Sequence, residues 1–208
     1  VFEHPLRFLL RPFDGFSTGL FLEHRDSRRR IRGLADGRRV LNLFSYTCGF
    51  SVAAAAGGAA ATASVDLSRK HLEWGRRNFA ANGLALEGHR FYCCDVFDFF
   101  ARARRQRLRF DLAVLDPPTF SRTRRPARTF SIERQLPDLL RGVIDLLEPA
   151  GTLLLATNCR RLGFPAMEEA IAAAAGSRGI DDLEHLPLPP DFAGDPDYAR
   201  TLLIRLAR

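Results

Sequence analysis

Successive apolar runs of strand length in this chain each give way to an acid or to turn-forming residues, and the run at residues 111–120 constrains the fold most. It reads Asp-Leu-Ala-Val-Leu-Asp-Pro-Pro-Thr-Phe, so Asp116, Pro117, Pro118, Thr119 and Phe120 stand at the carboxyl end of a strand. In an open parallel α/β sheet the ligand sits in the crevice beyond the carboxyl ends of the strands, which makes this corner the place where a substrate is met. The prolines fix φ and remove amide donors. What remains is a carboxylate and carbonyl oxygens facing a planar group on which Phe120 can stack. Alone, the Asp-Pro-Pro triplet reads equally well as a strand end and a proline-rich turn.

Other strand ends strengthen the reading. Arg39 to Leu43 is a strand, Phe44-Ser45-Tyr46-Thr47-Cys48-Gly49 a tight loop, and Phe50 to Ala56 a helix, the layout of a nucleotide-cofactor loop. Only Gly49 of that loop is glycine and no G-x-G-x-x-G is present, so a dinucleotide fingerprint is not met. Asp66 closes the next strand, placed to accept hydrogen bonds from two ribose hydroxyls. Asp95 follows the strand at 89–94, placed to receive an exocyclic adenine amine while Val96 packs on the ring. Each acid alone is as readily a helix N-cap; their order along the chain is harder to obtain by accident.

These residues resemble the class I S-adenosylmethionine-dependent methyltransferases, with Asn42 to Gly49 as the first motif, then Asp66, Asp95 and Asp116-Pro117-Pro118. More narrowly, Thr18-Gly-Leu-Phe-Leu-Glu-His-Arg25, Leu41-Asn-Leu-Phe-Ser-Tyr-Thr47, Asp66-Leu-Ser-Arg-Lys-His-Leu-Glu-Trp74 and Asp116-Pro-Pro-Thr-Phe-Ser121 are similar to large-subunit ribosomal RNA methyltransferases. The resemblance is greatest to RlmK, the guanine-N7 half of RlmKL, with the cytosine-C5 family RlmI as a cousin, and it covers residues 17–160. It implies a Rossmann-like fold and S-adenosyl-L-methionine as cofactor, with S-adenosyl-L-homocysteine as product. On the matching positions it implies cofactor contacts from Asn42, Phe44, Ser45, Tyr46, Thr47 and Gly49. Asp66 with Leu67 and Ser68, Asp95 with Val96, and Asp116 complete that set. The block with Phe21, His24 and Arg25 is expected to fold over the cofactor, Arg25 pairing with the methionine carboxylate.

Carbon-5 of cytosine is a poor nucleophile, so enzymes acting there first add a cysteine thiolate to carbon-6. In the RlmI pattern that cysteine follows the fifth strand, here Gly151 to Thr157, and the matching position is Asn158, with Cys159 next door. A shift of one residue at a strand end turns the side chain to the other face. Guanine N7 carries an in-plane lone pair and needs neither cysteine nor strong base. Positioning does the work there, and alignment alone lowers a barrier by roughly 7–11 kcal/mol at best. Asp116 and the carbonyls around Pro117 and Pro118 are expected to stabilise developing positive charge and hold the base edge, with Phe120 stacking. Asn158 either bonds the base or braces the Asp116 loop. The alternatives are cytosine-C5 methylation through Cys159 and a non-catalytic RNA-binding module on a cofactor fold.

Composition is compatible. The 208 residues carry a formal net charge of +7 and are 46% hydrophobic, the balance of one globular domain with a polyanionic partner, which the resemblance implies to be 23S ribosomal RNA. Lys70 is the only lysine, and arginines cluster at 28–32, 102–109 and 122–128, the last expected as a mobile loop beside the acceptor. No C-x-x-C or histidine spacing suggests a metal. No apolar run reaches membrane-spanning length and no signal pattern opens the chain; unpaired cysteines and the ribosomal substrate that the resemblance implies make a cytoplasmic protein the expectation, monomer or homodimer.

The pattern predicts a doubly wound mixed α/β sheet with a small N-terminal β element and lid at 1–35 and the methyltransferase domain at 36–208. Strands are expected near 40–44, 61–65, 89–93, 110–115 and 151–156, helices near 50–57, 68–81, 96–104, 133–147 and 165–175, and a final hairpin near 182–186 and 201–206. Leu20-Phe21-Leu22 reads as a short leading strand.

Overall fold

A computed structural model describes the chain apart from residues 4, 14–16 and 125–126 and the side chains of 123–128. It opens with a two-strand ribbon, β1 (Phe2–Glu3) and β2 (Leu6–Arg7), followed later by helix α1 (Arg25–Leu34). Strands and helices then alternate: β3 (Arg39–Leu43), α2 (Gly49–Ala56), β4 (Ala61–Asp66), α3 (Arg69–Ala81), β5 (His89–Cys93), α4 (Val96–Arg105) and β6 (Phe110–Leu115). A second ribbon, β7 (Phe120–Arg124) with β8 (Ala127–Ser131), precedes α5 (Ile132–Leu146), β9 (Leu147–Thr157), α6 (Phe164–Ala175), β10 (Ile180–Leu186) and β11 (Arg200–Leu206).

The central sheet has seven strands in the order β10-β11-β9-β6-β3-β4-β5. From β9 to β5 neighbouring strands are parallel, whereas β11 runs antiparallel between β9 and β10. After β3 the chain winds outward through β4 to β5, then returns to lay β6 on the other side of β3. The order therefore reverses between β3 and β6, and a crevice opens there at the carboxyl ends of the strands.

Period-two alternation explains how helices cover both faces. Leu41, Leu43, Ala113, Leu115, Leu153 and Leu155 enter the core beneath α4, α5 and α6. Their alternates Val40, Leu112, Val114, Leu154 and Ala156 pack with Ile31 of α1 and Phe50 and Ala54 of α2. Full burial of each leucine, valine, isoleucine or phenylalanine among them is worth about 1.5–3 kcal/mol, which fixes the register at which the strand ends meet the crevice.

Three expectations change. Leu20-Phe21-Leu22 is no strand: residues 22–24 form a 3₁₀ turn leading straight into α1, and the Phe21 carbonyl accepts from His24 N–H and Arg28 Nη1 rather than from a neighbouring strand. The arginine-rich segment after Phe120 is a ribbon in register from Phe120↔Ser131 to Arg124↔Ala127, because the chain must return from the Pro118 corner to start α5. The side chains of Arg124, Arg125 and Arg128 lie outside the described residues. Strand β9 starts at Leu147, where Phe110 pairs with Leu147 before a register shift to Leu112↔Thr152.

Candidate active site

A cavity of about 700 Å³ lies over the carboxyl ends of β3, β4, β5 and β6. On the β3 side its floor is the loop 44–48, whose backbone is unusual. Phe44, Tyr46 and Cys48 have φ of 55°, 48° and 63°, the left-handed region that bulky residues avoid at a cost of about 1–3 kcal/mol each. Such a loop persists only where its surroundings hold it. Ser45 N–H donates to the Val65 carbonyl at 2.9 Å, and Tyr46 N–H donates to Asp66 Oδ2 at 2.9 Å. Gly75 of α3 completes the support, since a Cβ there would collide with the Cys48 sulfur. Burial pushes the Cys48 thiol up to about 12, so it stays protonated and inert.

Asp66 also accepts from Ser68 N–H at 2.8 Å through Oδ1, with His71 Nδ1 3.5 Å away. The expected ribose acid is thus first of all the prop of the loop and of the start of α3, each of its oxygens keeping a lone pair for a ligand. Asp95 caps α4 through Phe97 N–H at 2.9 Å and still lines the cavity, beside Leu67, Ser68 and the buried Val96. Asn42 is buried, its Nδ2 donating to Ser51 Oγ, which pairs with Ser64 Oγ at 2.7 Å. These bonds tie β3, α2 and β4 together beneath the loop. Thr47 Oγ1 donates to the Gly19 carbonyl, and Tyr46 Oη to the Ser17 carbonyl.

The N-terminal segment forms the opposite wall. Leu6, Phe8 and Leu20 pack with Val52 of α2 and Leu72 and Phe79 of α3. Trp74 Nε1 donates to the Leu9 carbonyl, and Asn78 Oδ1 accepts from Leu9 N–H. Phe21, Glu23 and His24 reach the cavity, but Arg25 does not line it: its guanidinium engages Asp191 at 2.6 Å near the surface. The cation that does reach it is Arg28, one helical turn on. Buried to 2% exposure, Arg28 grips Glu3 with Nε and Nη2 and the Phe21 carbonyl with Nη1. A helix places residues three apart on one face, and that spacing was the available signal.

At the β6 side stand Asp116, Pro117, Pro118 and Phe120, all lining the cavity, with the Phe120 ring 54% exposed. Thr119 Oγ1 donates to Asn158 Oδ1 at 2.9 Å, so Asn158 braces the corner. Asp116 Oδ2 lies 3.2 Å from His24 Nε2. Burial works against a charged ring, yet the Asp116 charge and hydrogen bond, helped by Glu23 and opposed by Arg28, hold His24 above its ordinary 6.5. Cys159, by contrast, is buried at 2% exposure within the core, its sulfur 4.0 Å from Glu133 Oε1. Among the described residues no group of three His, Cys, Asp or Glu side chains is placed to hold a metal ion.

A nucleoside-sized cavity at the point where strand order reverses, walled by strand-end acids, is how Rossmann-like methyltransferases hold their cofactor. The chain belongs to the S-adenosylmethionine-dependent methyltransferases, the family it matches over residues 1–208. Among its relatives, the ribosomal RNA large subunit methyltransferase K/L of Allochromatium vinosum is 44% identical over 94% of this chain and 26% of its own length. The ribosomal RNA large subunit methyltransferase K of Neisseria meningitidis serogroup B is 38% identical over 84% of this chain and 48% of its own. The chain thus spans about a quarter to a half of the curated relatives it matches. SMU.776, solved in complex with SAH, superposes with a TM-score of 0.86 at 36% identity, over 92% of this chain and 51% of that one. The SAM-dependent methyltransferase from Agrobacterium tumefaciens superposes at 0.81 with 26% identity, over 97% and 67% of the two chains. S-adenosylmethionine is the cofactor of the family, and the strained loop, the strand-end acids and the cavity fit it.

Proposed function

We propose that this chain methylates N7 of a guanine in 23S ribosomal RNA by direct in-line transfer, with no covalent bond to the enzyme. Its curated relatives are named as large-subunit ribosomal RNA methyltransferases. The observation that carries the choice of chemistry is the acceptor corner itself. Asn158 lines the cavity with Asp116 and Phe120 and is bonded to Thr119 between them, while the neighbouring Cys159 is turned into the core. The thiol that does line the cavity, Cys94, follows β5, three strands from β6, which is about 14 Å at ordinary strand spacing. Burial raises its pKa as well. Neither thiol is set to attack a base held by Asp116, which favours an acceptor that already has a lone pair.

The cofactor supplies an activated methyl group. Asp66 and Ser68 would meet its ribose, Asp95 and Val96 its adenine, and the 44–49 backbone together with Glu23 and Arg28 its charged amino-acid end. Phe120 would stack on the base, and Asp116, Pro117 and Pro118 would orient its polar edge and oppose the charge that develops on the ring. Arg122 lines the same opening and would meet phosphate. At the β5 edge the Arg76 guanidinium lies 4.1 Å from the Phe91 ring centre and Arg102 5.2 Å from Tyr92, cations held on aromatic faces along a second path for RNA. Among the described residues no helix is long and apolar enough to cross a membrane, and such a substrate is met in the cytoplasm.

The test incubates the protein with isotope-labelled S-adenosylmethionine and unmodified 23S ribosomal RNA, followed by digestion and mass spectrometry of the nucleosides. Label is expected in 7-methylguanosine. Label in 5-methylcytidine, lost in Cys159→Ala, would move the chemistry to cysteine. Absence of both label and cofactor binding would leave an RNA-binding module.

A further inference from the structure

The motif at 18–25 was expected to act on the cofactor, and its most buried polar side chain also reaches the acceptor corner. His24 is 4% exposed, its ring packed 5.6 Å from Phe50 of α2 and 6.5 Å from Phe21. Its Nε2 faces Asp116 Oδ2 at 3.2 Å, while Nδ1 is buried with no hydrogen-bond partner among the described residues. Nε2 therefore carries a hydrogen toward Asp116 in either charge state, and the proton that comes and goes is the one on Nδ1. Among the described residues the charged and titratable groups that act on the ring are Asp116 at the end of β6, Glu23 on its own turn, and Arg28 on α1, whose charge is met by Glu3. Phe50 contributes none.

We propose that His24 is a positioning residue for the acceptor: Nε2 clamps one oxygen of Asp116, so that the carboxylate meets the substrate in one fixed orientation. The proposal rests on the reading of Asp116 as an acceptor-binding group. Asp116 follows a strand whose prolines fix the backbone but not the carboxylate's own torsion. Its side chain is 21% exposed and has room to turn toward water. A charge-assisted bond from His24 removes that freedom, and effective alignment is what an acceptor with its own lone pair demands. The link also reaches outward. Arg28 holds both Glu3 of the β1–β2 ribbon and the Phe21 carbonyl, so the N-terminal segment sets the height of His24 over the corner.

The sign of the pH effect follows from the raised pKa of His24. The ring is charged, and the clamp strongest, below the unperturbed value near 6.5; the charge and its contribution are lost as pH rises through the higher folded-state value. The experiment has two arms. In the first, the chain with isotope-labelled histidine is titrated by NMR without RNA. His24 is expected to titrate above 6.5 in the wild type and to fall in Asp116→Asn, where burial, the largest influence on the ring, is opposed by Glu23 alone. A ring at or below 6.5 in the wild type, or one indifferent to Asp116→Asn, overturns the clamp whatever the protein methylates. In the second arm, kcat on unmodified 23S ribosomal RNA is followed against pH, with thermal melts and cofactor titration calorimetry on each variant. The wild type is expected to lose kcat on an alkaline limb. His24→Gln keeps the donor and cannot titrate, so the limb should vanish while the fold is retained. His24→Leu should lower kcat about 10- to 100-fold, the loss of one hydrogen bond to a charged group, with the cofactor KM moving far less. A limb that persists in His24→Gln, or a His24→Leu defect confined to cofactor KM, refutes the positioning role. If the wild type methylates no RNA but the first arm succeeds, the function assigned to the corner fails and the ion pair stands.

Discussion

The two halves of the cavity are held by opposite means. The loop after β3 is strained, buried and anchored by backbone hydrogen bonds into β4 and Asp66, whereas the corner after β6 is shaped by Pro117 and Pro118 and left partly open, with His24 and Asn158 as its polar contacts. A small, invariant ligand suits the first construction, because a strained frame keeps its shape only when every support is present. A large ligand arriving from solvent suits the second, where an exposed ring and a two-strand ribbon stand at the rim.

If that contrast is right, changes in one half should leave the other largely intact. The largest effect is expected for Asp116→Ala: RNA methylation falls by about 10²–10³-fold, as when a group facing developing charge is removed, while calorimetry finds cofactor affinity much less affected. Equal losses of both would show that the halves are one unit. Next is Asp66→Ala, which removes the acceptor of two backbone N–H groups. At about 1–3 kcal/mol for each donor left without a partner, calorimetry should record cofactor affinity lower by at least tenfold and melting should record reduced stability. Loss of methylation at saturating cofactor would instead place Asp66 in the acceptor half.

Phe120→Ala sharpens the comparison from the other side. Stacking on one base is worth about 1–3 kcal/mol, so KM for RNA should rise by roughly 5- to 150-fold with cofactor binding unchanged, as steady-state kinetics would reveal. The smallest effect is expected for Cys159→Ala: full methylation, no change in cofactor affinity, and a stability cost of about 1 kcal/mol for a small buried group seen in denaturant titration. A collapse of activity there would overturn the cysteine-free chemistry.

What could be read in the sequence was local. Strand ends at Asp66, Asp95 and Asp116 follow from apolar runs of the right length, and the loop at 44–49 from its place between a strand and a helix. The pairing of His24 with Asp116 joins residues 92 positions apart, and no periodicity carries such a contact. Arg28 rather than Arg25 reaches the cavity: Arg25 opens α1 and engages Asp191 near the surface, whereas the buried side chains of the helix begin at Ser27 and Arg28. The β7–β8 ribbon was hidden because Ser121-Arg-Thr-Arg shows none of the apolar alternation that marks a strand. Of its described side chains Phe130 packs on the core, and one such contact makes no alternation.

Among the described residues strand β11 follows every other strand, yet it lies inside the sheet, between β9 and β10. During synthesis the flank of β9 must therefore wait, its Leu153, Leu154 and Leu155 backbone unpaired on that side, until residues 200–206 have been made. For that interval the nascent chain presents a bare, aliphatic edge of the kind that recruits other chains. The order in which this polypeptide is translated thus sets a window of vulnerability that its finished structure conceals.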